Sequence, residues 1–148
     1  MLKNKYNIKR SSFRRALMAI VPTTQGKLGV VSAYSATAVA AEHRGWPLGQ
    51  FVTDINGTPL TEAFEVKAGT LKVGEVRDEW SSGEGDAFML VLSGACETTF
   101  DLEGNDDPAN FHTVVSRAGD ALFWNNAVPH KRRTLEETQY VFVRRLKK

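Results

Sequence analysis

The amino-acid sequence predicts an all-β domain that closes as a single sandwich or barrel. Its 148 residues, 42% hydrophobic and 24% charged, fit one globular domain with one core. From Trp46 onward, short segments rich in Val, Phe, Thr and Leu alternate with Gly, Pro and Asn. The regular spacing of these segments is typical of a β-sandwich or β-barrel.

The elements follow from this pattern in chain order. A short helix is predicted over residues 11–21, because Phe13, Leu17 and Ile20 have roughly helical spacing and Pro22 ends the run. Seven strands are predicted over residues 48–53, 63–73, 88–92, 95–101, 113–116, 121–124 and 138–146. Alternation along these strands predicts one core of Phe64, Val66, Leu71, Phe88, Leu90, Leu92, Phe100, Leu122, Trp124 and Phe142.

Charge separates an N-terminal part from the β-rich part. Residues 1–41 contain seven Lys or Arg and no acidic residue, whereas residues 42–148 have a net charge of −5. We therefore expect a basic extension over residues 1–45 and a barrel domain over residues 46–148. A basic arm can bind nucleic acid, but this one lacks the interleaved aromatic residues of a nucleic-acid platform. Nucleic acid is therefore not an expected partner.

The same N-terminal residues resemble a signal peptide only weakly. Their apolar stretch, residues 28–41, begins late and contains several hydroxyl-bearing residues. No run reaches the ~18 consecutive apolar residues of a membrane span. Cys96 is the only cysteine, so an intrachain disulfide is impossible. We expect a cytoplasmic protein, with export as the alternative if residues 1–40 act as a signal peptide.

Several common catalytic motifs are absent from the sequence. The three histidines, His43, His112 and His130, lack the i, i+2 or i, i+4 spacing that brings two imidazoles to one metal. There is no Gly-x-Ser-x-Gly nucleophile turn, no Gly-rich phosphate loop and no dinucleotide-binding fingerprint. The usual hydrolase and nucleotide-binding signals are therefore missing.

The segment from residue 117 to residue 134 carries the most specific pattern in the chain. Gly119 and His130 have the spacing of the second motif of the cupin superfamily, which the sequence resembles from residue 64 to residue 143. Asn125, Ala127 and Thr134 stand where that motif has Pro, Gly and Asn. The resemblance implies that His130 points into the lumen of a barrel.

The first cupin motif is present as a frame without its metal ligands. Gly74 and Gly94 occupy its two framing glycine positions. Trp80 and Ser82 stand at the two His positions, and Ala87 stands at the Glu position. None of these three side chains is a competent ligand for Zn²⁺ or Fe²⁺. We therefore expect no metal and no cofactor.

The resemblance implies a single cupin-type β-barrel, a jelly-roll-like double sheet, preceded by the basic extension with its short helix. Cupins commonly pair through their sheets, so a homodimer is the expected assembly. The favoured function is binding of a small molecule in the barrel. The expected ligand-binding residues are Trp80, Trp124, Asn126 and His130.

Two enzymatic alternatives remain open at this point. One is a metal-independent isomerase or lyase in which His130 is the catalytic general base and Asp78, Glu79 or Asp86 orients it. The other is a metal-dependent cupin oxygenase that uses His130 and further ligands that the sequence does not identify. A base needs a carboxylate within hydrogen-bond reach, and a metal needs at least three convergent donors.

Overall fold

The fold was obtained as a computed structural model that describes residues 18–146. These residues form ten strands and one α-helix, α1 at Ala36–Glu42, with a single 3-10 turn at Pro108–Asn110. The strands are β1 Ala19–Ile20, β2 Thr23–Gly26, β3 Gly29–Ser32, β4 Val52–Thr53, β5 Phe64–Leu71, β6 Val76–Ser81, β7 Asp86–Asp101, β8 Phe111–Arg117, β9 Ala121–Asn125 and β10 His130–Arg145. The predicted all-β fold class is confirmed.

Two long central strands organise the main antiparallel sheet. β7 and β10 pair with each other along most of their length. The first part of β10 also pairs with β6, and its second part pairs with β5. The first part of β7 pairs with β9, and its second part pairs with β8. Each long strand therefore belongs to two halves of the sheet, which wrap around a common interior as a barrel.

The two halves meet at a bend that requires glycine. Gly94 has φ of 79°, in the left-handed region that side chains disfavour. A Cβ at this position would lie 2.0 Å from the carbonyl oxygen of Glu137 on the neighbouring strand. The pairing of β10 with β7 shifts register three times between Thr134 and Tyr140, on the strand opposite Gly94. Such bulges bend a strand and increase its twist, which is how one sheet turns into a barrel.

The inward face of β7 is the opposite of the predicted one. Alternation predicts that Phe88, Leu90 and Leu92 enter the core, and this prediction is wrong. The buried side chains of this stretch are Ala87, Met89 and Val91. Phe88 is 39% exposed and Leu92 is 53% exposed. Residues 87–92 are apolar at every position, so alternation carries no signal for the inward face, and a shift of one residue exchanges the two faces.

The rest of the predicted core is largely correct. The buried members are Leu71, Phe100 and Trp124. The half-buried members packed against this core are Leu122 and Phe142. Val66 is half-buried but lies on the outer face of β5, so its assignment to the core is wrong. The rings of Phe100 and Phe142 lie 5.6 Å and 5.8 Å from that of Trp124. Phe64 is a further error, because it lies on the exposed outer face of β5.

Several predicted boundaries also differ from the structure. Residues 93–94 form the bend inside β7 and do not separate two strands. β10 begins at residue 130 and not at residue 138. Its basic first residues are typical of a solvent-exposed turn in the sequence, but they pair in the sheet. β6 is not predicted from the sequence because half of its six residues are charged. Only residues 52–53 of the predicted strand 48–53 are extended in the ladder.

The helical segment lies elsewhere than predicted. Residues 11–17 of the predicted helix fall outside the described part of the chain, and residues 19–20 form β1, which pairs in parallel with β4. The observed helix, α1, begins after Ser35, whose hydroxyl accepts a hydrogen bond from the Ala38 amide at 3.2 Å. This is the N-cap arrangement expected of serine. No helix in residues 18–146 is long and apolar enough to cross a membrane.

Candidate functional site

A cavity of about 420 Å³ opens on the inner face of the barrel. Its volume falls within the ~300–1,000 Å³ typical of small-molecule sites. The aromatic and apolar part of its wall consists of Trp46, Leu71, Met89, Trp124, Tyr140 and Phe142. The polar and charged part includes Lys67, Glu75, Arg77, Ser81, Ser82, Thr98, Asn126, His130, Arg132 and Arg144. The cavity thus combines an aromatic wall with an unusual number of cations.

Strand register explains why cations converge there. Arg132 on β10 lies directly opposite Arg77 on β6 and directly opposite Thr98 on β7. Directly opposed residues in an antiparallel sheet project from the same face with their Cβ atoms ~5 Å apart. Two guanidinium groups and one hydroxyl therefore form a row across three strands. We call Arg77, Arg132 and Thr98 the arginine row.

Lys67 and Arg144 enter the cavity from the other half of the barrel. The Lys67 ammonium lies 5.6 Å from the centre of the Trp46 ring, and the Arg144 guanidinium lies 5.0 Å from it. Arg144 also forms an ion pair with Glu65. Both cations therefore pack on one aromatic ring, which is a favourable cation–π arrangement.

The electrostatic field of the cavity is positive. Burial lowers the pKa of the Lys67 ammonium below its usual value, and the charges of Arg77 and Arg132 lower it further. Arg144 acts in the same direction, and only Glu75 opposes it. A lysine whose neighbours are mostly arginines is destabilised in its charged form until an anion offsets the repulsion.

His130 stands at the start of β10 among aromatic rings. Its ring centre lies 5.1 Å from that of Trp124 and 6.1 Å from that of Phe100. Nδ1 lies 3.2 Å from the carbonyl oxygen of Val128. Because a carbonyl only accepts, Nδ1 carries the hydrogen, and Nε2 of the neutral ring is an acceptor.

The protonation state of His130 follows from its surroundings. Burial lowers the pKa of the imidazole below its usual value, whereas the hydrogen bond to Val128 raises it. The charges of Arg132 and Arg77 lower it again. At neutral pH the ring is therefore uncharged and adds an acceptor to a cavity rich in donors.

Three buried polar groups of the cavity have no hydrogen-bond partner within residues 18–146. They are the Thr98 hydroxyl, the Trp124 indole N–H and Nε of Arg144. Thr98 is 3% exposed and Trp124 is 9% exposed, so both are cut off from bulk water. Buried polar groups in native proteins are almost always hydrogen-bonded. These three groups are therefore free to hydrogen-bond to an acceptor placed in the cavity.

Three of the four predicted ligand-binding residues line this cavity. Trp124 and His130 form part of its wall, and so does Asn126, whose side-chain amide donates to the Glu84 carbonyl at 3.2 Å. That hydrogen bond holds the amide in place, and Asn126 is buried. Three of the predicted residues therefore share the lining of one cavity.

Trp80, the fourth predicted residue, lies outside the cavity lining. Its indole N–H donates to the Asp106 carboxylate at 2.9 Å. Its ring packs against Phe111 at 5.0 Å, with the Lys131 ammonium 4.6 Å from the ring centre. These contacts fix the loop that follows β7. Trp80 is therefore committed to packing on the outside of the barrel.

The cationic residues of the site are the part that sequence reasoning misses. Lys131, Arg132 and Arg133 read as one basic cluster, which is usually a solvated face. Alternation along β10 separates them, since Arg132 turns inward while Arg133 turns outward and pairs with Glu97. Alternation of side chains along a strand therefore identifies Arg132 as inward-facing. This alternation can be used only when residues 130–137 are recognised as a strand.

The residues at the cupin metal positions do not fit a metal ion. Ala87 is a buried methyl group, and Trp80 is engaged outside the cavity. Ser82 and His130 line the cavity but supply one imidazole and one hydroxyl between them. Within the described range 18–146, no group of three or more His, Cys, Asp or Glu side chains could hold a metal ion. No chemical step is therefore derived through a metal.

Metal content is a direct prediction of this ligand set. Protein purified without chelator is expected to carry far less than one transition-metal ion per chain, because a single imidazole holds a divalent ion weakly in water. Elemental analysis measures this, with His130→Ala as the comparison variant. About one metal ion per chain, lost in His130→Ala, would contradict the prediction.

Solved structures resemble the barrel at the level of fold. A conserved protein of unknown function from Streptococcus pyogenes is 21% identical, with a TM-score of 0.50 over 62% of this chain and 71% of that one. Oxalate decarboxylase from Bacillus subtilis is 18% identical, also with a TM-score of 0.50, over 62% of this chain and 23% of that one. A cupin superfamily protein from Desulfitobacterium hafniense is 16% identical, with a TM-score of 0.49 over 61% of this chain and 73% of that one.

Sequence comparison adds no closer relative. No protein-family model matches the chain, and no curated protein sequence matches it significantly. The assignment therefore depends on the architecture of two long bent strands around one cavity, on the glycine frame of the two motifs and on the likeness to solved structures. The chain is a cupin-fold protein.

Proposed function

We propose that this protein binds a small molecule in the cavity of its barrel and does so without a tightly bound metal. The observation that carries the proposal is the cavity of the barrel, in which buried donors of Trp124 and Arg144 have no partner of their own in residues 18–146. Aromatic walls with a few fixed polar groups are the usual composition of such sites. Trp124, Asn126 and His130 would contact the ligand directly.

His130 has the role of a ligand contact in this proposal. Its Nδ1 is held by the Val128 carbonyl, so Nε2 is available to accept a hydrogen bond from a ligand. The isomerase or lyase alternative assigns the orienting role to Asp78, Glu79 or Asp86. Asp86 instead accepts a hydrogen bond from Asn125 and pairs with Arg145. None of the three carboxylates lines the cavity with His130, which supports binding over general-base catalysis.

The proposal is tested by filling the cavity from the backbone of β5. Gly69 lines the cavity, and a Cβ there would meet the Tyr140 ring at an ordinary contact distance of 3.8 Å. Gly69→Leu is therefore expected to fold and to occupy ligand space. Ala63→Leu, the matched control, adds the same side chain at an exposed position just before β5 that does not line the cavity.

Binding of a mixed panel of neutral, cationic and anionic fragments is measured by calorimetry for both variants. We expect the unmodified chain and Ala63→Leu to bind members of the panel, and Gly69→Leu to lose that binding. Equal binding by Gly69→Leu and Ala63→Leu would show that the ligands sit elsewhere. A panel without any binder would remove the basis of the proposal.

We further propose that the protein is a homodimer formed through the outer face of the sheet. Strand register aligns Val66, Val143, Phe88 and Phe123 in one apolar row across β5, β10, β7 and β9. Phe123 is 66% exposed, a costly state for an aromatic side chain beside other apolar groups. A symmetric copy of the same face would cover the row, and the cupin resemblance points to the same kind of pairing.

Sedimentation of two charge variants checks the dimer. Phe123→Glu is expected to shift the protein to monomer, because a carboxylate buried in an apolar interface is strongly disfavoured. Ile55→Glu alters a still more exposed apolar residue in the loop after β4, and it should leave the dimer intact. A monomer at all concentrations for the unmodified chain would contradict the proposal, as would a dimer unaffected by Phe123→Glu.

The cytoplasm is the proposed location. The single cysteine, Cys96, is buried as a free thiol. Burial raises the pKa of this thiol, which keeps it protonated and unreactive. A protein stabilised by its β core without disulfides is compatible with a reducing compartment. Fractionation of cells that express the full chain tests this location.

A further inference from the structure

We propose that the ligand of the cavity is a small organic anion, whose charged oxygens bind the arginine row and whose carbon skeleton lies against Trp124 and Phe142. This inference rests on the proposed function and adds the chemical class of the ligand. It is carried by three features of the cavity wall, which are its charge, its unpartnered donors and the arrangement of its apolar surface.

The first feature is uncompensated positive charge. Within residues 18–146, Arg77 and Arg132 form no ion pair, although they lie directly opposite each other. Directly opposed like charges destabilise a sheet. Glu75 is the only carboxylate in the described lining, and its side chain already accepts a hydrogen bond from the Lys72 amide. An anion between the guanidinium groups would turn this repulsion into attraction.

The second feature is the type of polar group left without a partner. The indole N–H of Trp124 and Nε of Arg144 are donors only, and the Thr98 hydroxyl can also donate. Three buried donors in one cavity require a ligand that is rich in acceptors. Carboxylate and phosphate oxygens are acceptors with several lone pairs, and guanidinium groups bind both in a bidentate manner.

The third feature sets the rest of the ligand. Met89 and Phe142 are paired on adjacent strands and project inward beside Trp124, whose ring lies 5.8 Å from that of Phe142. Phe142 is on the second part of β10, whereas Arg132 of the arginine row is on the first part, so the apolar surface lies in the neighbouring half of the barrel. A bare inorganic ion would leave it uncovered, whereas a planar or aromatic skeleton would bury it. The cavity therefore fits an anionic head group on an apolar body.

Three probes of similar shape separate charge from shape. Benzoate and phenyl phosphate carry the two anionic head groups, and benzamide is the uncharged counterpart of benzoate. We expect at least one anion to bind about tenfold more tightly than benzamide, since hydrogen bonds to charged groups contribute ~1.5–3 kcal/mol. The preferred anion identifies the source of the charge as a carboxylate or a phosphate ester.

A pair of adjacent arginines provides the matched variants. Arg132→Gln removes the charge of the arginine row, and Arg133→Gln removes an outward charge that pairs with Glu97. Affinity for the preferred anion should fall about tenfold or more in Arg132→Gln and remain within about twofold in Arg133→Gln. Arg77→Gln is the second variant of the row, and it should also weaken binding. It carries the test if Arg132→Gln does not fold.

Stability without ligand distinguishes binding from a structural role. Because Arg132→Gln relieves the repulsion with Arg77, its unfolding temperature without ligand should equal or exceed that of the unmodified chain. Benzamide binding as tightly as both anions would overturn the inference while leaving the proposed function intact. Equal affinities in Arg132→Gln and Arg133→Gln would overturn it as well. Failure of every probe and of the mixed fragment panel would overturn both proposals.

Discussion

Replacing Gly94 by alanine is expected to cost the barrel about 4 kcal/mol or more of its free energy of unfolding. The added Cβ would meet the Glu137 carbonyl oxygen at 2.0 Å, and backbone atoms on both long strands would have to move. The left-handed φ of 79° adds ~1–2 kcal/mol of strain for any residue with a side chain. The two halves of the sheet would lose the bend that brings them around the cavity.

Gly74→Ala is the matched control for this prediction. Gly74 has a similar φ of 76°, but a Cβ there would meet nothing within 4 Å. It should therefore cost only the backbone strain of ~1–2 kcal/mol. Urea unfolding monitored by circular dichroism measures both variants. Similar losses for Gly74→Ala and Gly94→Ala would mean that the contact with Glu137 is not what requires glycine at the bend.

The corrected orientation of β7 gives the second large prediction. Met89→Ala should destabilise the protein by about 2–5 kcal/mol, because the thioether is fully buried in the inner core and its removal leaves a cavity. Phe88→Ala, one residue away, should cost about 1 kcal/mol or less in the monomer, because its ring is on the outer face.

Urea unfolding at low protein concentration compares these two variants without a contribution from dimer contacts. A larger loss for Phe88→Ala than for Met89→Ala under these conditions would restore the face assignment that simple alternation predicts. The comparison is sharp because the two residues are adjacent on one strand. Their difference in stability reports only which face of β7 is buried.

Much of the fold is predictable from the sequence, and the reasons are local. Glycine spacing and β-branched segments predict the strands of the barrel, because turns and strands demand those residue types. Gly74, Gly94 and Gly119 all adopt positive φ, so the motif frame reports backbone geometry that does not depend on metal ligands. His130 and Trp124 are predictable as cavity-lining residues because a motif of fixed spacing ends at the barrel lumen.

The remaining features depend on contacts between distant segments. The strand residues 87–92 are apolar on both faces, so their inward parity depends on which face meets β10. The basic start of β10 becomes a strand because it pairs with both β6 and β7. Arg77 and Arg132 are 55 positions apart in the sequence and meet only through that pairing. The cationic cavity therefore depends on strand register and cannot be predicted from the order of residues alone.

The central claim is that a ligand occupies the barrel cavity, and the three tryptophans test it in a single spectrum. Trp46 and Trp124 line the cavity, whereas Trp80 is hydrogen-bonded outside it and serves as an internal control. The measurement is the indole N–H signals in a nitrogen-15 correlation spectrum of the full chain, recorded during titration with benzoate, phenyl phosphate and the fragment panel. We expect the Trp124 signal to shift the most as its unpartnered N–H gains an acceptor, the Trp46 signal to shift less, and the Trp80 signal to stay in place. Saturating shifts confined to Trp80, or no shift at Trp124 with any probe, would contradict the claim.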